Sequence, residues 1–204
     1  MMPPASALLP WLQDRLAGHV PARRGDHPDL YVHKAAAVLI GLVLRAEGPT
    51  ILLTERAAHL PHHAGQISFP GGRVEADDAD VIAAALRESW EEVGLPAQHV
   101  QVAGLLGRYA TVSGYDVTPV VACIDPHALQ LRADPAEVAA VFELPAAALL
   151  DPARYERRWV ERRGMRGRSH FIECEGKTVW GATAGMLLML AAALGLPGEP
   201  RDID

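Results

Sequence analysis

The chain has 204 residues, half of them hydrophobic and 22% charged, which suits one domain with a sizeable core and excludes a disordered chain. Its formal net charge of −6 excludes indiscriminate nucleic-acid binding, so a polyanionic substrate has to be met by metal ions or a local basic patch. Cys123 and Cys174 form no CxxC or zinc pattern, the longest apolar runs (35–44 and 184–194) fall short of the ~20 residues of a membrane span, and no signal peptide is evident, so a cytoplasmic protein with no membrane partner is expected.

In chain order, residues 5–16 carry apolar side chains at helical spacing and predict an N-terminal helix, which is a candidate homodimer contact. The polar segment 21–28, with two prolines, reads as a linker. This divides the chain into residues 1–30, helix and linker, and a main domain over 31–198. Buried strands are predicted at 35–45 and at Thr50–Arg56, with a turn at Glu47-Gly48-Pro49 between them. A loop rich in His, Gly and Pro follows, strand-like only at 67–69. Asp77, Asp78 and Asp80 then suit a helix N-terminus, and 81–92 runs as a helix with Val81, Ala85 and Trp90 available to face a core. Val93-Gly94-Leu95-Pro96 stops it. Further strands are expected at 99–108, Tyr115–Ile124, 137–142, 154–163 and 169–175. A short helix at 145–150 and a well-buried apolar helix at 179–194 complete the set. Strands, helix, strands, helix predict an α/β/α sandwich with a mixed β-sheet and helices on both faces.

The helix at 81–92 poses the chemical question. Glu88, Glu91 and Glu92 stand at i, i+3 and i+4, sharing one face, where like charges cost a few tenths of a kcal/mol per pair unless a cation offsets them. Magnesium takes oxygen ligands and leaves positions for water and substrate phosphate, so a strand, a Gly71-Gly72 turn and an acidic helix are a sensible way to build its site. Arg87, one turn before Glu91, can pin that carboxylate. Three glutamates on a solvated helix face are the bland alternative.

The run Arg87-Glu88-Ser89-Trp90-Glu91-Glu92-Val93-Gly94-Leu95, preceded by Gly71-Gly72, resembles the signature of the Nudix hydrolases. The resemblance implies cleavage of a nucleoside diphosphate linked to another moiety, with Mg2+ or Mn2+ bound on this helix. Three departures stand out: Ala79 occupies the position of a usual Glu eight residues before the Arg, the Gly-to-Arg spacing is one residue long, and Ser89 replaces a usually apolar residue. ILLTERAAHLPHHAGQISFPGG is similar to the extra motif of the coenzyme A pyrophosphatase branch, with Arg56 where Thr is usual and Pro61 where Arg is usual. SGYDVTPVVA, DPAEVAAVFELP and VWGATAGML extend the resemblance over most of the chain from about Ala36.

The branch implies hydrolysis of coenzyme A, or its acylated or oxidised forms, to 3′,5′-ADP and 4′-phosphopantetheine; another Nudix substrate such as ADP-ribose or NADH is the alternative. On this reading Glu88, Glu91 and Glu92 are the metal ligands, with Arg87 orienting them and Glu91 completing the shell. Glu137 is the candidate general base, against a plain strand-edge Glu. Gly71, Gly72, Arg56 and His63 are assigned to substrate binding; the role of the missing motif Arg is either lost or taken over by Arg56.

His59, His62 and His63 lack the partner pair of a zinc site. Tyr115 is a candidate stacking residue or a half-buried strand Tyr. Seven arginines between Arg154 and Arg168 are a candidate clamp for the 3′-phosphate, or charges interleaved along exposed strands.

Overall fold

The computed structural model describes residues 2–19, 22–26, 31–60, 65–162 and 165–203. Helix α1 (Ala5–Ala17) leads through the short strand β1 (Arg24–Gly25) into β2 (Lys34–Val43), β3 (Thr50–Arg56), β4 (Ile67–Ser68) and β5 (Gly71–Arg73). After helix α2 (Val81–Val93) come β6 (Val100–Leu105), β7 (Tyr109–Ala110), β8 (Tyr115–Ile124) and β9 (Val138–Pro145). The one-turn helix α3 (Ala146–Leu149) precedes β10 (Glu156–Arg162), β11 (Met165–Cys174) and β12 (Lys177–Trp180). Helix α4 (Gly181–Ala193) and β13 (Arg201–Asp202) follow.

Among the described residues, nine strands form one mixed sheet whose spine is the parallel pair β2 and β8, in register from Lys34 against Tyr115 to Val43 against Ile124. A parallel pair is covered on both faces, so β2 is an unbroken apolar run rather than an alternation. Ala36, Ile40 and Leu42 enter a core shared with α1 and α4, while Ala37, Leu39 and Val43 pack with Ala84, Ala85 and Val93 of α2. Helices therefore cover both faces, the layering that the sequence predicts. Helix α1 contributes Leu8, Leu12 and Leu16, four residues apart, to the larger core. A second sheet, in the order β12-β11-β10-β13, packs on α4 through Ile172, Cys174 and Val179.

Several expectations need correction. Val179 and Trp180 belong to β12 rather than to the last helix: Trp180 pairs with Phe171, their rings stacked at 5.4 Å, and the helix starts at Gly181. The segment read as a linker holds β1, which pairs in parallel with β7, and Asp26, which accepts from the Tyr109 hydroxyl at 2.8 Å and the Val112 N–H at 2.9 Å. The strand expected over 99–108 ends at Leu105, and Tyr109–Ala110 forms a separate strand. Glu137 precedes β9, in a turn. Trp90 does not face the core and is 58% exposed, because the buried stripe of α2 runs through Ala85, Ser89, Glu92 and Val93. Ser89 satisfies its buried hydroxyl by donating to the Ala85 carbonyl at 2.7 Å. Among the described residues no helix is long and apolar enough to cross a membrane.

Candidate active site

Helix α2 is fixed at both ends. Asp80 caps it, accepting from the Ala83 N–H at 2.8 Å, which satisfies an orphan donor of the first turn. At the other end Gly94 takes a left-handed φ of 65°, with its N–H donating to the Trp90 carbonyl and the Leu95 N–H to the Ser89 carbonyl. The cap sets where the carboxylate face begins and ends relative to the sheet.

Arg87 is the hub of that face. Its Nε and Nη2 donate to the two oxygens of Asp78 at 3.0 and 2.9 Å, and Nη2 also reaches the Arg73 carbonyl at 3.0 Å. Nη1 donates to Glu88 and to Glu91, each at 3.1 Å. The guanidinium thus ties the loop after β5 to two helix carboxylates, and the Asp78 contact is the largest influence holding its pKa above the ordinary arginine range. In the sequence Asp78 reads as a carboxylate suited to a helix N-terminus, not as the partner of Arg87. Counting back eight residues from Arg87 reaches Ala79, but the loop is one residue longer, and nine reaches Asp78. The expanded spacing was the signal.

Glu92 is 4% exposed. Its Oε2 accepts from the Gly71 N–H at 3.0 Å, so the glycine turn orients this carboxylate. A Cβ at Gly71 would overlap the Ala37 carbonyl at a positive φ of 150°, so only glycine fits there, and one at Gly72 would displace the Glu88 carboxylate. Burial pushes Glu92 up to about 7; Gly71 and Arg56 pull it down, while Glu88 and Glu137 push it further. Glu88 is also raised, first by burial, against the lowering contact with Arg87, with Glu91 and Glu137 adding repulsion. Glu91 is more than half exposed.

Arg56 stands at the end of β3, where the pairing with β9 slips by a bulge. Its Nε is buried without a hydrogen-bond partner. Leaving such a donor unpaired costs about 1–3 kcal/mol. Glu137 joins the same region: the Ala57 N–H donates to its carbonyl at 2.9 Å, and its charge is felt at both Glu88 and Glu92. The fold therefore brings together Arg56, Gly71, Gly72, Arg87, Glu88, Glu91, Glu92 and Glu137.

As the side chains stand, no group of three or more His, Cys, Asp or Glu among the described residues forms a converged metal cluster. Arg87 Nη1 holds Glu88 and Glu91 together, while the Gly71 amide holds Glu92. The donor set nevertheless fits a hard divalent cation. It consists only of carboxylate oxygens, and the two on Glu88 and Glu92 are raised first by burial and further by like charge, both of which a bound cation offsets.

His62 and His63 lie outside the described residues. His59 meets the Ala136 carbonyl at 3.0 Å. Tyr115 is half-buried, with Lys34 5.4 Å from its ring centre. In the arginine-rich segment, Arg157 and Arg168 pair with Asp202, and Arg158 pairs with Glu156. These contacts favour the interleaved-charge reading for those three.

The family described as NUDIX domain matches residues 33–163. A protein of Escherichia coli O1:K1 / APEC, described as an uncharacterized Nudix hydrolase NudL, is 49% identical over 164 residues, covering 80% of this chain and 84% of its own. A protein of the same description from Shigella boydii serotype 18 (strain CDC 3083-94 / BS512) gives the same figures. Among solved structures, a NUDIX hydrolase from Alicyclobacillus acidocaldarius has a TM-score of 0.48 at 20% identity, over 59% of this chain and 82% of its own.

Proposed function

The chain belongs to the Nudix hydrolase family, and from that premise we propose that it cleaves the pyrophosphate linkage of coenzyme A, free, acylated or oxidised, to 3′,5′-ADP and 4′-phosphopantetheine. The observation that carries this reading is Arg56: within the coenzyme A-type flank it sets an Nε that is buried without a partner beside the carboxylates of α2. A phosphoryl oxygen of the substrate supplies the missing acceptor.

Glu88, Glu91 and Glu92 would hold Mg2+ or Mn2+, which when bound polarises phosphoryl oxygens and acidifies water. The rest falls to the chain's own groups. The Gly71 amide fixes one oxygen of Glu92, leaving the other free to face the site. Arg87 holds Glu88 and Glu91 in register against the loop after β5. Glu137 is assigned to take the proton of the attacking water, because it is exposed to solvent and electrostatically coupled to both inner carboxylates. His63 and Arg56 are assigned to the substrate side. Residues 31–198 are taken as the hydrolase unit and 1–30 as an addition to it, in a cytoplasmic enzyme.

Product analysis tests the reading: coenzyme A, acetyl-coenzyme A, NADH and ADP-ribose are each incubated with Mg2+ or Mn2+. Coenzyme A or its acyl form is expected to exceed the others in kcat/KM by about tenfold or more, a discrimination of ~1.4 kcal/mol. Equal rates across the panel would leave only a general Nudix activity.

A further inference from the structure

A cavity of about 80 Å³ lies between β1, the end of β7 and the β10–β11 hairpin. Its walls include Asp26, Tyr109, Val160, Gly167, Ser169 and Trp180. We infer that it receives the amide-bearing, non-nucleotide arm of the substrate, an inference that rests on the coenzyme A reading.

Position comes first. Tyr109 is paired with Val117, Val117 with Ala36, and Ala36 with Arg73, the residue after the glycine turn. Three strand spacings of about 4.8 Å put the cavity wall roughly 14 Å from that turn. The pantetheine arm runs about thirteen bonds from phosphorus to sulfur. At a peptide's ~3.5 Å per three bonds it reaches roughly 15 Å.

Size decides between the two ends of the substrate. The cavity is about half the ~150 Å³ of one that holds a benzene ring, so a purine does not enter whole and a slim chain does. Chemistry points the same way. Each oxygen of Asp26 accepts one bond, from the Tyr109 hydroxyl and from the Val112 N–H, and keeps a lone pair for a further N–H donor such as an amide. The rings of Tyr109 and Trp180 and the side chain of Val160 suit methylenes and a thiol, which contacts aromatic rings favourably.

Gly167→Val tests this without touching the carboxylates of α2. A Cβ there meets only the Asp26 carbonyl, at an ordinary 3.8 Å, and β-branched residues suit a strand. The variant is expected to raise KM for coenzyme A by roughly tenfold or more, as blocking a pocket for part of a substrate does, with kcat within about twofold and ADP-ribose kinetics unchanged. Free pantetheine is expected to bind the wild type in a calorimetric titration and to lose binding in the variant, while adenosine binding stays the same. Ser169→Leu fills the same space from two residues further along β11 and serves if Gly167→Val lowers the melting midpoint. A wild type that prefers coenzyme A while both variants keep its KM overturns the cavity assignment and leaves the function standing. A wild type with no such preference overturns the functional reading instead, and the pantetheine titration still decides the cavity. Loss of adenosine rather than pantetheine binding contradicts the assignment.

Discussion

Glu92 on α2 and Asp202 on β13 are carboxylates in contrasting surroundings. Asp202 lies on the surface, accepts from Arg157 and pairs with Arg168, and these guanidiniums hold it down to about 2. Glu156, nearby, takes Arg158 and Arg201 and is also lowered. Glu92 is buried, accepts one backbone amide, neighbours two other glutamates and is pushed up to about 7. In the second sheet these two carboxylates are each matched by two arginines. On α2 the repulsion between Glu88 and Glu92 persists, and Arg56 beside them keeps an unpaired buried nitrogen. Counting charges would have favoured the arginine-rich sheet as the binding surface; asking which charges still need a partner favours the helix.

The sharpest way to break that contrast is Glu92→Gln, which keeps the shape and removes the charge and a strong metal ligand. We expect kcat to fall by roughly 10²-fold or more, as when electrostatic stabilisation of phosphoryl transfer is lost. Steady-state rates with coenzyme A and Mg2+ check it. Asp78→Ala comes next. It leaves every glutamate in place but removes the two bonds from Arg87 to Asp78, leaving only the Arg73 carbonyl to hold the guanidinium on that side; a misplacement of that kind costs up to about 10²-fold, so a fall of about tenfold in kcat and a lower melting midpoint are expected. Arg56→Ala should act on binding, raising KM by roughly tenfold, with Arg56→Lys recovering only part because it lacks the guanidinium fork.

The pH dependence of stability separates the two regions without any substrate. Glu92 ionises near 4.5 when unfolded but only near 7 when folded, so between those values the folded state holds the extra proton. In metal-free protein this group therefore takes stability away as pH rises from about 4.5 to about 7, with no further loss above that. Glu92→Gln should gain on the wild type across that window, in denaturant titrations at a series of pH values. Asp202 behaves in the reverse sense: its depressed pKa contributes stability above the usual Asp range, lost as pH falls towards about 2. The smallest expected effect belongs to the second sheet. Arg157→Ala should change kcat/KM by less than about twofold, as exposed ion pairs contribute little, and dephospho-coenzyme A should react about as well as coenzyme A. A large loss in either would return the arginines to the site.

Much of this was legible in the sequence because the spine is locally determined. Thr50–Arg56 and Tyr115–Ile124 are apolar runs with clear ends, and α2 has an Asp cap, an uninterrupted stretch and a Gly stop. Even the burial of Glu92 had a trace: it stands seven residues, two helical turns, after Ala85, in phase with the core. What escaped was set by distant contacts. Nothing local announces that Arg24–Gly25 finds Tyr109–Ala110 across 85 positions, or that Trp180 ends a strand by stacking on Phe171. Trp90 is apolar but out of phase with the buried stripe of α2, and the pairing of Asp78 with Arg87 depends on the one-residue expansion of the loop.

The central claim is that the carboxylate face of α2 is completed by a divalent cation. Thermal unfolding of metal-free wild type and Glu92→Gln, each titrated with Mg2+, tests it without relying on turnover. At a hundredfold excess over Kd the wild type should gain about 2.7 kcal/mol, a rise of roughly 5–10 °C for a domain of this size, and the variant much less. Equal shifts in the two proteins, or none in either, would contradict the claim.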